Sequence, residues 1–100
     1  MKLVRDNIPG IINISGKTCE YHFADHDEYL ASLYEKMREE LDEFIDDPSY
    51  EEAADMYEVL RAICDLHSLT MVGVESVALE KRHERGAFYD RIILEKVDEK

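Results

Sequence analysis

Between Asp27 and Ile45 the apolar residues Leu30, Leu33, Tyr34, Met37, Leu41, Phe44 and Ile45 recur at spacings of three and four. That period belongs to a helix with one buried stripe. Asp25 or Asp27 can cap its start by accepting a bond from an orphan backbone N–H. Asp46-Asp47-Pro48-Ser49 ends it, and a second periodic stretch follows from Tyr50 to His67, with Ala53, Met56, Leu60, Ile63 and Cys64 inside. Ser49 with Glu52 three residues later fits a capping box. Two helices joined by so short a loop pack as an antiparallel hairpin.

The flanking sequence fits around that hairpin. Leu3 to Ile14 is a short opening segment, in which Pro9 limits a helix to beginning at or near it. Ile8, Ile11, Ile12 and Ile14 supply its apolar contacts. Ser15-Gly16-Lys17 breaks the chain. Thr18 to Phe23 reads as a short extended piece. A third helix is expected over Val74 to Arg85, with Gly86 as the left-handed residue that stops it. Phe88 to Leu94 looks extended and able to pair with Thr18 to Phe23. The fold class expected is mainly α: a helical hairpin, a third helix and short extended end segments. At 100 residues this is one domain. So short a chain buries a modest core, so completion as an oligomeric helical bundle is expected.

Charge narrows the partners. Twenty-four acids against twelve bases leave a formal charge of −12. Such a chain is repelled by nucleic acid polymers and drawn to cations. Cys19 and Cys64 show no metal-type spacing. No apolar run reaches membrane-spanning length, and MKLVRDNIPG lacks the apolar stretch of a signal peptide. A cytoplasmic location without membrane contact is expected.

The acids crowd into the hairpin. Fourteen lie between Asp25 and Glu58, with only Lys36 and Arg38 against them. With Leu33 taken as zero, the apolar stripe of the first helix covers roughly 20° to 80°, and Glu40 falls at about −20°, on its edge. Glu43 shares that flank and Glu39 lies further out. On the second helix Glu52 falls inside the apolar arc and Asp55 on its rim. The hairpin can thus bring two carboxylate pairs together. Clustered carboxylates repel and raise each other's pKa, and a divalent cation such as Mg²⁺ relieves that penalty with oxygen ligands. A capping role for Glu52 competes with ligation, and a solvated face is the plain alternative for Glu39 and Glu43.

Glu39-Glu40-Leu41-Asp42-Glu43 followed by Glu52-Ala53-Ala54-Asp55 resembles the E-E-x-x-E … E-x-x-D signature of the all-α nucleotide pyrophosphohydrolases, the MazG-like superfamily that includes phosphoribosyl-ATP pyrophosphohydrolase. Lys2 to Pro9 looks like the opening of a small phosphoribosyl-ATP pyrophosphohydrolase-like subgroup. Lys81 to Phe88 resembles its K-x-x-x-R-G-x-F closing motif. The resemblance covers nearly the whole chain. It implies Mg²⁺-dependent cleavage of a nucleotide between its α and β phosphates, with Mn²⁺ as a substitute. Glu40, Glu43, Glu52 and Asp55 would then be metal ligands, and Glu39 a further ligand or the residue that orients the attacking water. It also implies a homodimer or homotetramer with sites between helices of different subunits. Only eight residues separate Glu43 from Glu52, fewer than in larger members.

Phosphoanhydride hydrolysis also needs protein donors for the phosphates. Lys81 and Arg85 are four apart on one helix face, with Arg82 beside them. The competing explanation is a helix C-terminus that favours cations. Arg5 is either a further phosphate contact or a surface residue pairing with Asp6. Phe88, Tyr89 and Tyr34 can stack on a base or serve as packing. There is no Walker A loop. Two other classes compete. A carboxylate di-iron bundle needs two E-x-x-H motifs, and only Glu80 to His83 offers one. A non-catalytic acidic helical module would use the same apolar stripes to bind a partner protein.

Overall fold

The computed structural model describes residues 1–99 and contains four helices: α1 (Ile8–Ile14), α2 (His26–Asp46), α3 (Tyr50–Leu66) and α4 (Met71–Arg85). The chain forms two compact units, Met1–Leu69 and the residues from Thr70 onward.

In the first unit, α2 and α3 pack against each other as the hairpin that the periodicity predicts. Local chemistry defines both ends of the turn. The α2 ladder closes with the Asp47 N–H donating to the Glu43 carbonyl, and Pro48 follows, unable to continue the helix. Ser49 then caps α3, its hydroxyl accepting from the Glu52 N–H at 3.2 Å. Asp25 caps α2 by accepting from the Glu28 N–H at 2.9 Å. Leu33, only 2% exposed, is the centre of the packing, and Val59 and Cys64 of α3 are buried with it. The Tyr34 hydroxyl and His67 Nε2 lie 3.0 Å apart and tie α2 to the end of α3.

That end is a motif the pattern of apolar residues does not announce. Leu69 N–H donates to the Cys64 carbonyl and Ser68 N–H to the Asp65 carbonyl, with Ser68 at φ 61°. This is a Schellman cap with serine in the left-handed position where glycine is usual. It stops α3 at Leu66, one residue before the expected His67. On α1, Pro9 lies in the first turn, where a missing N–H costs nothing. Ile8 and Ile12 are half-buried, whereas Ile11 and Ile14 are exposed rather than packed.

In the second unit, α4 begins three residues earlier than the expected Val74. Thr70 caps it by accepting from the Gly73 N–H at 3.0 Å. A Cβ at Gly73 would meet that same hydroxyl oxygen at 3.0 Å, so glycine here makes room for the cap instead of breaking the helix. Gly86 ends α4 as expected, but at φ 82° and ψ −178°, a conformation essentially reserved for glycine and outside the left-handed helical well.

The expected extended pairing is absent: no strand forms among the described residues. Phe88 to Leu94 is broken by a turn in which the Arg91 N–H donates to the Phe88 carbonyl, with Arg91 at φ 58°. Thr18 to Phe23 is irregular, held locally by an edge-to-face contact of Tyr21 with Phe23 at 5.8 Å between ring centroids. An isolated two-stranded pair is marginal in water, so the short apolar runs alone do not enforce one. No single helix among the described residues is long and apolar enough to cross a membrane.

Replacing Leu33 by alanine is expected to lower the unfolding free energy by about 2–4 kcal/mol, because the cavity sits where the hairpin closes. The same change at exposed Leu79 should cost under roughly 0.5 kcal/mol. Urea midpoints of the two variants check the contrast.

Candidate metal centre

The two helices of the hairpin each bring acids to one place. One carboxylate oxygen from each of Glu39, Glu40 and Glu43, all on α2, lies within 4.8 Å of the others. A second group with the same spacing joins Glu40 to Glu52 and Asp55 of α3. Glu40 belongs to both. Helical spacing explains this, since positions 40 and 43 on α2, and 52 and 55 on α3, are near neighbours on their own helix faces.

Glu40 is the buried charged residue of the hairpin, at 5% exposure. Its Oε1 lies 3.1 Å from Lys36 Nζ, one turn earlier on α2. Its Oε2 is buried and accepts no hydrogen bond, and the same is true of Glu52 Oε2. A capping box would send the Glu52 carboxylate back toward the Ser49 N–H. Here one of its oxygens is buried and unsatisfied, so the Ser49 hydroxyl acts as cap and the Glu52 carboxylate stays free for another partner. A buried carboxylate oxygen with no donor is costly and calls for a cation or a proton.

The titration of the cluster reflects this crowding. Glu43 is pushed above the usual glutamate value first because its protonated form can donate a hydrogen bond to Glu40, and then by the Glu40 charge. Glu52 is pushed up by loss of water around its carboxylate and then by the charges of Asp55, Glu40 and Asp47. Burial works to lower the Lys36 ammonium, but its contacts with Glu40 and Glu39 prevail and hold it above the usual lysine value.

The donor set suits a small hard cation. In an octahedron with metal–oxygen distances of roughly 2.1 Å, ligand oxygens are separated by about 3 to 4 Å. Oxygens mutually within 4.8 Å need only a small closure to reach that arrangement. Each of the five acids named from the sequence thus falls in one or both of two groups that share Glu40. Glu39 is half-buried, its Oε1 lying 3.5 Å from Lys36 Nζ and 3.7 Å from Lys2 Nζ.

The cations fall out differently. Arg5 pairs neither with Asp6 nor with an open site. Its Nη2 donates to Asp55 Oδ1 at 2.7 Å. Lys81, Arg82 and Arg85 are exposed on α4, in the second unit, whereas every carboxylate of the centre lies in the first. They make no ion pair among the described residues. Phe88 and Tyr89 are exposed, while the Tyr34 hydroxyl is engaged by His67. Lys2 and Lys36 were missed as members of the centre. Lys36 had a readable signal, three residues before Glu39 and four before Glu40; Lys2 had none. In comparison with known proteins, no family model, no curated protein and no solved structure matches this chain.

The pH dependence of stability follows from the two raised glutamates. In the folded chain Glu43 and Glu52 hold protons above their ordinary value of 4.5, so the folded state binds more protons than the unfolded one between 4.5 and the raised values. Stability contributed by these groups therefore falls as pH rises through that interval, and their cost is absent below 4.5. Without divalent cations, the Glu43→Gln/Glu52→Gln variant should exceed the native protein in urea midpoint at pH 7, and the gap should close as pH falls toward 4.5. A gap independent of pH contradicts this origin.

Proposed function

We propose that this chain is a Mg²⁺-dependent nucleotide pyrophosphohydrolase, with Mn²⁺ as a competent substitute, that cleaves a nucleoside triphosphate or phosphoribosyl-nucleotide between its α and β phosphates. The observation that carries the reading is the buried Glu40 carboxylate, with an oxygen lacking any donor, set among Glu43, Glu52 and Asp55. Glu40, Glu43, Glu52 and Asp55 would hold the cation. When bound, Mg²⁺ supplies charge neutralisation for the phosphates and lowers the pKa of water.

The residues of the chain have separate tasks in this reading. Glu39, at the half-buried edge of the cluster, accepts the proton of the attacking water. The water oxygen forms a bond to the α phosphorus as the bond from that phosphorus to the bridging oxygen breaks, and pyrophosphate leaves. The likeness of Lys81 to Phe88 to the K-x-x-x-R-G-x-F motif makes Lys81, Arg82 and Arg85, of this or another copy, the candidate donors to the phosphate chain, Arg bidentately and Lys as a point charge. Arg5 is a further phosphate contact once it is free of Asp55. A cytoplasmic location goes with a nucleotide substrate.

We further propose that the protein works as a homodimer or homotetramer. Ile11, Ile14, Phe23, Ile45 and Tyr50 of the first unit and Phe88, Ile92, Ile93 and Leu94 of the second are all more than half exposed. So much uncovered apolar surface suits burial against further copies. The same surface is what favours the second reading, a non-catalytic acidic module that binds another protein.

Incubation with Mg²⁺ and a panel of nucleoside triphosphates should release pyrophosphate. Glu40→Ala should cut the rate by more than the roughly 10–100-fold that loss of a ligand's supporting hydrogen bond costs. No release from any nucleotide or phosphoribosyl-nucleotide by the folded protein would favour the module. Sedimentation at micromolar concentration should give a mass of two or four chains; a monomer would overturn the assembly proposal.

A further inference from the structure

Three cations stand among the five carboxylates, and they are not alike. Lys36 belongs to α2, is 19% exposed at its side chain, and pairs with Glu40 and Glu39 within its own helix. Lys2 and Arg5 come from the segment that precedes α1. Arg5 reaches across 50 positions of sequence to Asp55, and Lys2 reaches Glu39. Their side chains are 56% and 67% exposed. Exposed pairs of this kind are held weakly and exchange readily.

Their placement is selective. Asp55 belongs to one carboxylate group and Glu39 to the other, and the two groups share Glu40. The opening segment therefore sets one positive charge on each group. The Arg5 guanidinium occupies Asp55 Oδ1, one of the two oxygens with which Asp55 could serve a cation at the second group. Two positive charges a few ångströms apart repel, so the guanidinium and a divalent ion compete for the same carboxylate. Once displaced, a guanidinium beside a cation centre is placed to bind an oxyanion bidentately.

We propose that the segment from Lys2 to Arg5 is a displaceable cationic stopper: Arg5 on Asp55 and Lys2 on Glu39 yield to a divalent cation and then bind a phosphate-bearing anion at the same place. This rests on the carboxylate centre described above and adds an order of events, cation first and anion second. Residues 1–7 are not helical, so side-chain rotation on a non-helical segment is enough to make the exchange.

Calorimetric titration of the full chain with Mg²⁺, followed by inorganic pyrophosphate, tests it. Arg5→Gln removes the competing charge, and Lys17→Gln removes an equal charge from an exposed residue with no ion pair among the described residues. Arg5→Gln should bind Mg²⁺ about two- to five-fold more tightly than the native chain, while Lys17→Gln should match it. The Mg²⁺-loaded Arg5→Gln protein should bind pyrophosphate several-fold more weakly. Unchanged or weaker Mg²⁺ binding by Arg5→Gln, an equal gain in Lys17→Gln, or unchanged pyrophosphate binding overturns the stopper while leaving the centre intact. A native chain that takes up no Mg²⁺ overturns the centre and the stopper together.

Discussion

The Glu40 carboxylate lies at the junction of α2 and α3, a position where an aliphatic side chain would pack at no electrostatic cost. One oxygen meets Lys36; the other has no donor. A buried carboxylate with one oxygen unsatisfied weakens a hairpin whose buried apolar residues are as few as Leu33, Val59 and Cys64. The other acids of the cluster lie around that carboxylate. Glu43 comes from the next turn of α2, and Glu52 and Asp55 come from the facing turns of α3. The cluster is stable only with protons, with the chain's own cations, or with a bound metal ion. The raised Glu43 and Glu52, the Arg5–Asp55 pair and the proposed Mg²⁺ are three answers to the same repulsion.

The tight turn is what makes the arrangement possible. Only Asp47, Pro48 and Ser49 separate the helices. Helix termination at Asp47, the proline and the Ser49 cap together hold the last turns of α2 against the first turns of α3. The clustered acids of residues 39–43 and 52–55 lie in those turns. A longer loop would let the helices slide, and the register between Glu40 and Glu52 would no longer be determined by backbone hydrogen bonds. Stability and the proposed chemistry thus depend on the same few residues.

Helix positions were legible because burial imposes a 3.6-residue period, and α2 and α3 agree with it to within a residue or so. Glu40 and Glu52 were legible for the same reason, as acids placed on an apolar face. Side-chain partners across long sequence separations were not. Nothing near Arg5 points to Asp55, because that contact depends on how the opening segment lies against α3. Strands were overestimated: Thr18 to Phe23 and Phe88 to Leu94 have the composition of strands, but strand formation needs a partner, and a turn at Arg91 interrupts the second. Ser68 hid the end of α3 because serine carries no strong signal for a left-handed cap.

The central claim is that the facing turns of α2 and α3 form a divalent cation centre. Crystals soaked in Mn²⁺ and measured for anomalous scattering test it most directly. The account predicts a strong peak within coordination distance of Glu40 and of at least two among Glu43, Glu52 and Asp55, with Arg5 withdrawn from Asp55. Anomalous peaks confined to other acidic surface residues, with Glu40 still bound to Lys36 alone, would contradict it.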